Sequence, residues 1–229
     1  MKTFKILGLL LTYPREALHA ASGEMGATLR REGFLPEASV RDVEAFLQRQ
    51  ERRDLLACQE EYVETFDRGR AHCLHLFEHV HGESRERGQA MVDLNAMYAA
   101  KGLRIHNREL PDFLPLFLEY LSLCEFDEAR DLLGEAIDVV GVIGARLRER
   151  GSDYAVVFAA LERLSTAKAD KGKVAEALGT APDPQTPAEL DEQWREAEAF
   201  GGDPAADCNA CDAMPHALRH IEKWLELPR

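Results

Sequence analysis

Apolar residues recur every three or four positions along most of this 229-residue chain, whereas strict alternation of apolar and polar residues is nearly absent. The first pattern places apolar side chains on one face of a helix, and the second is typical of a half-buried strand. We therefore predict an all-α protein. Amphipathic helices are predicted over residues 36–49, 55–66 and 84–102, the last with Ser84 as its N-cap and Gly102 at its end.

Two segments are apolar on nearly every side, residues 110–124 and residues 127–150. Helices of this kind are buried, so we expect both segments at the centre of a helical globule. Gly141 and Gly144 lie inside the second segment, where they should allow close contact with another helix. A further helix is predicted over residues 153–165.

The first fourteen residues, MKTFKILGLLLTYP, allow two interpretations. A basic start followed by an apolar run of about ten residues is typical of a secretory signal peptide. However, Tyr13-Pro14-Arg15 ends the run without a small-residue cleavage site, so we interpret the segment as a first helix. No apolar stretch approaches the roughly 18 residues that cross a bilayer, and we expect no direct membrane insertion.

Proline and glycine interrupt the chain after about residue 167. Residues 179–187, GTAPDPQTP, contain three prolines and predict an exposed linker. Short helices are predicted beyond it, ending with an amphipathic helix over residues 215–227. We therefore expect one compact helical-bundle domain over residues 1–168 and a loosely attached helical tail over residues 169–229. The last helix of the tail is a candidate lid over a binding groove.

Composition limits the partners and the compartment. The net charge of −13 opposes binding to phosphate backbones and to anionic membrane surfaces, so a basic partner fits better than nucleic acid. The five cysteines are odd in number and widely spaced, which favours the reducing cytoplasm over a secreted disulfide framework. Composition leaves open whether the protein is a monomer or a weak homodimer.

Residues 72–88, HCLHLFEHVHGESRERG, contain the pattern H-x-x-E-H at His75, Glu78 and His79. In a zinc-dependent hydrolase, two such histidines bind zinc from one helical face and the glutamate activates water. The pattern is short, and nothing in the sequence identifies a third ligand. The plainer interpretation is a polar helix edge followed by a turn.

A second candidate metal site lies in the tail, where two cysteines and two histidines follow one another: Cys208, Cys211, His216 and His220. These are the ligand types of a Cys₂His₂ zinc site, which would make the tail a zinc-stabilised interaction module. Only four residues separate the two pairs, fewer than in an ordinary zinc finger. An exposed turn and the start of a helix explain them more simply, and we expect no resident cofactor.

Aromatic and acidic residues are concentrated in residues 60–69, EEYVETFDRG, and residues 109–121, ELPDFLPLFLEYL. Rings and leucines of this kind can form a groove for an amphipathic basic helix, and the carboxylates can match Lys or Arg at its edge. The alternative is that the rings form the core and the acids are simply solvated.

The same two segments carry a family resemblance. The stretch from Glu60 to Leu94, EEYVETFDRGRAHCLHLFEHVHGESRERGQAMVDL, and ELPDFLPLFLEYLSLC from Glu109 closely resemble the nitrate reductase molybdenum cofactor assembly chaperones, the NarJ family of TorD-like redox-enzyme maturation proteins. The likeness covers about residues 5–165. The wider family carries a Glu-Pro-x-Asp-His signature where this chain has Glu109-Leu110-Pro111-Asp112-Phe113, without the histidine.

The resemblance implies an all-helical chaperone that is not an enzyme. It implies binding to the N-terminal amphipathic basic peptide of the apo catalytic subunit of a respiratory nitrate reductase. That subunit would stay competent for insertion of molybdenum cofactor and iron–sulfur clusters before membrane docking. The resemblance also implies that the histidines of residues 72–88 have a structural role and do not form a zinc protease site. Together with the charge pattern, the resemblance makes eight residues candidates for the peptide groove or its rim: Tyr62, Phe66, Asp67, Asp112, Phe113, Leu116, Glu119 and Tyr120.

Overall fold

A computed structural model describes residues 1–80, 85–105 and 109–180. The α-helices in these ranges are α1 (Lys2–Leu10), α2 (Glu16–Ala20), α3 (Ser22–Glu32), α4 (Glu37–Arg52), α5 (Leu55–Tyr62), α6 (Arg85–Ala100), α7 (Leu114–Leu123), α8 (Phe126–Glu135), α9 (Ile137–Glu149), α10 (Ala155–Leu164) and α11 (Lys171–Thr180). These described ranges hold one isolated β-bridge and no β-strand. The prediction of an all-α protein is confirmed.

Helix α1 packs along α7, and this pair is the most extensive helix contact in the described structure. Most apolar side chains of α1 are buried, and those of Phe4 and Leu7 have no exposed surface. Gly8 allows the close approach, because a Cβ atom there would lie 3.1 Å from Leu118 Cβ and from Pro115 O. The N-terminal segment is therefore part of the core, as the interpretation of a first helix requires.

Most residues of helix α9 are buried, and it packs against α10 and α11. Its glycines make the contacts close, as predicted. A Cβ atom at Gly144 would lie 2.9 Å from Phe158 Cβ, and one at Gly141 would lie 2.5 Å from Ala169 Cβ. Neither position has room for a larger residue unless its neighbour moves.

Two predicted helices have different limits in the structure. The segment 127–150 is not one helix, since α8 ends at Glu135 and α9 begins at Ile137. The segment 110–124 is helical only from Leu114, because the residues before it form a turn and the β-bridge. After α5 the chain continues as a π-helix over Val63–Asp67, followed by 3₁₀-helices over Arg70–His72 and Leu76–His79.

Helix α11 contacts the domain, although its residues were predicted to open the tail. Lys173 Nζ donates to Asp138 at 2.9 Å, and Arg146 donates to the carbonyl oxygen of Ala177 at 2.9 Å. The remaining tail predictions, including Cys208, Cys211, His216 and His220, fall outside the described residues, as does the predicted N-cap at Ser84. Among the helices that the structure describes, none combines the length and the apolar character needed to cross a membrane.

Candidate binding groove

The two sequence segments that carry the resemblance meet in the structure. An isolated antiparallel β-bridge pairs His75 with Phe113. In this bridge Leu76 N donates to Asp112 O at 3.0 Å, and Leu114 N donates to Leu74 O at 2.8 Å. The bridge thus fixes the 3₁₀-helical stretch against the N-terminus of α7.

Asp112 reinforces this junction from inside the protein. Its side chain has no exposed surface, and its carboxylate lies 3.1 Å from His75 Nδ1 and accepts a hydrogen bond from Phe77 N at 3.1 Å. The hydrogen bond with Asp112 raises the pKa of His75. The prediction that Asp112 lies on a groove rim is wrong, because a fully enclosed carboxylate cannot meet an incoming peptide at the surface.

The H-x-x-E-H residues do not lie on an α-helix. His75 precedes the short 3₁₀-helix Leu76–His79, so the two histidines do not share an α-helical face. His79 Nε2 lies 2.7 Å from the carbonyl oxygen of Cys73, and burial lowers the pKa of His79. Glu78 pairs with Arg87 at 3.3 Å. Within residues 1–80, 85–105 and 109–180, no three His, Cys, Asp or Glu side chains are grouped so that they could hold a metal ion.

A groove of about 600 Å³ opens between α1, α7 and the chain that follows α6, and we call it the main groove. Its apolar wall includes Leu9 of α1, Leu103 and Ile105 after α6, and Leu116 of α7. Its charged residues come from the same elements and from the segment before α7: Lys5, Arg104, Glu109 and Glu119.

A smaller cavity of about 220 Å³, the side pocket, adjoins the main groove. Phe113 lines both cavities, so its partly exposed ring forms their common wall. The side pocket is bounded by the π-helix and the 3₁₀-helical stretch, and its walls include Tyr62, Phe66 and His75. A π-helical turn is often found at functional sites, and here it turns Phe66 and Asp67 towards the pocket.

Six of the eight predicted groove residues line these cavities. Five belong to one cavity each and Phe113 to both, and together they are Tyr62, Phe66, Asp67, Phe113, Leu116 and Glu119. Tyr62 and Phe66 are 5% and 4% exposed, so each ring offers little accessible surface to the wall. Asp112 and Tyr120 line neither cavity. Tyr120 was predicted wrongly as an accessible ring, since it is 3% exposed and packs its ring 5.0 Å from that of Tyr98.

The carboxylates around the shared wall differ in their partners. Glu119 accepts a hydrogen bond from Lys5 Nζ at 3.0 Å. Asp67 and Glu109 take part in none of the ion pairs within the described residues. Burial and the nearby charge of Glu109 raise the pKa of Asp67. Glu109 in the main groove and Asp67 in the side pocket thus lie beside apolar surface without an ion-pair partner among the described residues.

The α1 wall of the main groove was missed in the sequence. Lys5, Gly8 and Leu9 line it at intervals that place them along one side of the helix, and Thr12 continues the wall just after α1 ends. This stripe was a usable signal, because a small or polar position every three or four residues interrupts an otherwise apolar helix. Arg104 was also missed, and its position depends on the irregular chain after α6.

Comparisons with known proteins point to one family. The model of the family described as nitrate reductase delta subunit matches residues 35–160. The nitrate reductase molybdenum cofactor assembly chaperone NarJ of Escherichia coli (strain K12) is 44% identical over 191 residues, which cover 83% of this chain and 81% of that protein. The protein named "Probable nitrate reductase molybdenum cofactor assembly chaperone NarW" from the same strain is 38% identical over 216 residues, 94% of this chain and 89% of that protein.

A more distant relative comes from another bacterium. A Bacillus subtilis (strain 168) protein named "Probable nitrate reductase molybdenum cofactor assembly chaperone NarJ" is 31% identical over 177 residues, 75% of this chain and 95% of that protein. The residues that the family model matches include the whole side pocket and the α7 wall of the main groove.

Proposed function

Because the chain belongs to the nitrate reductase delta subunit family, we propose that it is an assembly chaperone for the apo catalytic subunit of a respiratory nitrate reductase. It binds the N-terminal peptide of that subunit in the main groove. The bound subunit stays competent for insertion of molybdenum cofactor and iron–sulfur clusters, and it is released for membrane docking. The protein acts in the cytoplasm, performs no catalysis itself and is not part of the final enzyme.

The observation that carries this proposal is the combination of apolar and acidic surface in the main groove. Leu9, Leu103 and Leu116 offer an apolar surface for the hydrophobic side chains of an amphipathic helix. Glu109 and Glu119 lie at the same groove and match Lys or Arg on the polar side of that helix. A cavity of about 600 Å³ is of a size that takes a few anchoring side chains.

The net charge of −13 supports a cationic partner over a neutral or acidic one. Attraction between opposite charges raises the rate of encounter and aligns the partners before contact. A disordered peptide that folds into a helix on docking loses conformational entropy, which lowers the affinity that the contacts would otherwise give. Moderate affinity suits a chaperone that must release its client.

The alternatives from the sequence have less support. In a zinc-dependent hydrolase His75 and His79 would turn their nitrogens to a metal, whereas here they contact Asp112 and the carbonyl oxygen of Cys73. The zinc module proposed for Cys208, Cys211, His216 and His220 falls outside the described residues, and no observation on the described chain favours it.

Titration with a synthetic N-terminal peptide of the cognate catalytic subunit tests the proposal. Leu116 lines the groove, whereas Leu123 of the same helix is 53% exposed and lies outside it. Leu116→Gln should weaken peptide binding at least tenfold in isothermal titration calorimetry, and Leu123→Gln should leave it nearly unchanged. Thermal melts of both variants check that the fold is intact. Absence of binding to the wild-type protein, or equal binding by a folded Leu116→Gln variant, would refute the proposed site.

A further inference from the structure

The main groove contains an ion pair between its two helical walls. Lys5 Nζ on α1 donates to Glu119 Oε1 on α7 at 3.0 Å. Both residues line the groove, and their side chains are 51% and 43% exposed. The pair therefore lies at the surface of the groove, where a docked peptide would meet it.

Glu119 is the groove carboxylate that already has a cation. Glu109, the other carboxylate of the main groove, takes part in none of the ion pairs within the described residues. Arg104 lines the same groove and likewise forms no ion pair with a described residue. Lys5 thus differs from Arg104 in that it occupies a position that a cationic peptide would need.

Resting on the proposed function, we propose that Lys5 is a tethered competitor that limits the affinity of the groove for basic peptides. Its ammonium group holds the cation position at Glu119 while the groove is empty. A Lys or Arg of the peptide must displace Lys5 before it can pair with Glu119. When the peptide leaves, Lys5 pairs with Glu119 again. The carboxylate of Glu119 therefore has a cation beside it in both the empty and the peptide-bound groove.

The exchange is feasible because the existing pair is weak. Ion pairs between solvent-exposed side chains contribute little, since water and salt screen them and two long side chains lose freedom. The displaced ammonium group can return to water, because α1 presents Lys5 on its exposed side. Removal of Lys5 should therefore strengthen binding of a basic peptide by about two- to fivefold, the range expected for one exposed pair.

The experiment compares Lys5→Met with Lys2→Met by calorimetric titration of the basic peptide. Lys2 is a matched control, because it lies on the same helix, is exposed and does not line the groove. Both substitutions remove one positive charge, so any general effect of net charge is the same in the two variants. Lys5→Gln serves as a second variant in case Met disturbs the packing of α1.

Two further arms identify the partner of Lys5. In a Glu119→Gln background, Lys5→Met should give no more gain than Lys2→Met does. A peptide whose Lys and Arg residues are replaced by Gln should gain nothing from Lys5→Met, because it brings no cation to Glu119.

The outcomes separate the two proposals. A gain specific to Lys5→Met or Lys5→Gln, lost in the Glu119→Gln background and with the neutral peptide, supports the tethered competitor. Equal affinities of the Lys5 and Lys2 variants would overturn the tethered competitor. A gain that persists in the Glu119→Gln background would overturn it too. Either result leaves the proposed function standing. If the wild-type protein does not bind the peptide at all, both proposals fall.

Discussion

The buried carboxylate of Asp112 holds the imidazole of His75, with Oδ1 3.1 Å from Nδ1, across the β-bridge that joins the two halves of the site. The same carboxylate accepts a hydrogen bond from Phe77 N. This arrangement fixes the backbone next to Phe113, the residue that the main groove and the side pocket share. Asp112 therefore acts on the site through the position of other residues.

Asp112→Ala should destabilise the protein by about 3 kcal/mol, because it removes one partner from a buried, charged hydrogen-bond network. Chemical denaturation gives this free energy of unfolding. Asp42→Ala is the control, since Asp42 is exposed on α4 and forms no ion pair within the described residues, so its loss should change stability by less than about 0.5 kcal/mol. A stable Asp112→Ala variant with reduced peptide binding would instead mean that Asp112 contacts the peptide.

The His75–Asp112 contact should make stability depend on pH. The hydrogen bond with Asp112 raises the pKa of His75 in the folded protein, so protonation of His75 favours folding. This contribution is complete below the unfolded pKa of about 6.5 and is lost as the pH rises through the higher folded pKa. The difference in unfolding free energy between the wild type and His75→Gln should therefore be largest below about pH 6.5 and shrink as the pH rises through the folded pKa of His75.

NMR titration of the His75 ring gives a direct check. The ring should titrate above about 6.5 in the wild type and at lower pH in Asp112→Asn. In the stability comparison, His19→Gln is the control for the loss of a histidine in His75→Gln, because no contact with a carboxylate is seen for His19 in the described structure. An unchanged His75 titration in Asp112→Asn would contradict the role given to that hydrogen bond.

Gly144→Ala should destabilise the protein by about 1–3 kcal/mol, the cost of overpacking a dense core. The new Cβ would lie 2.9 Å from Phe158 Cβ, and this clash outweighs the better helix propensity of alanine. Gly88→Ala in α6 is the matched control, since no atom lies within 4 Å of a Cβ there. That substitution should be neutral or stabilise by up to about 1 kcal/mol. Thermal denaturation compares the stability of both variants. A Gly144→Ala variant as stable as the wild type would show that α9 and α10 can move apart without loss of stability.

Peptide affinity should fall as salt rises if carboxylates of the groove attract the basic peptide. The Debye length shortens from about 10 Å at 0.1 M to about 3 Å at 1 M ionic strength, so attraction across the groove should be largely screened at the higher value. Glu109→Gln should weaken binding by about two- to fivefold at low salt and reduce the salt dependence. Glu149→Gln, at the exposed end of α9, is the control. If the affinity is the same at both salt concentrations, attraction between the groove carboxylates and the peptide does not contribute to binding.

The sequence predicted the helices better than it predicted the site. Helical spacing of apolar residues is a local signal, and it identified α4, α6 and α10 to within a few residues. Gly141 and Gly144 were also predicted correctly as positions of close contact, because glycine inside an apolar helix has few other uses.

The errors come from contacts between distant parts of the chain. Asp112 has the sequence context of a surface acid, and its partner His75 lies 37 positions away. The β-bridge between His75 and Phe113 lies beside this contact, and α7 begins only after it, at Leu114. Helical periodicity carries no information about such pairs, so both the burial of Asp112 and the true start of the helix required the structure.

The walls of the main groove are far apart in the chain, with Lys5 and Glu119 separated by 114 positions. Contacts of long sequence separation form late, since closing a long loop has an entropic cost before any contact stabilises it. During synthesis, α1 leaves the ribosome long before α7 exists. A nascent chain that has not reached Glu119 therefore lacks the α7 wall, and the main groove is complete only after that wall has been made.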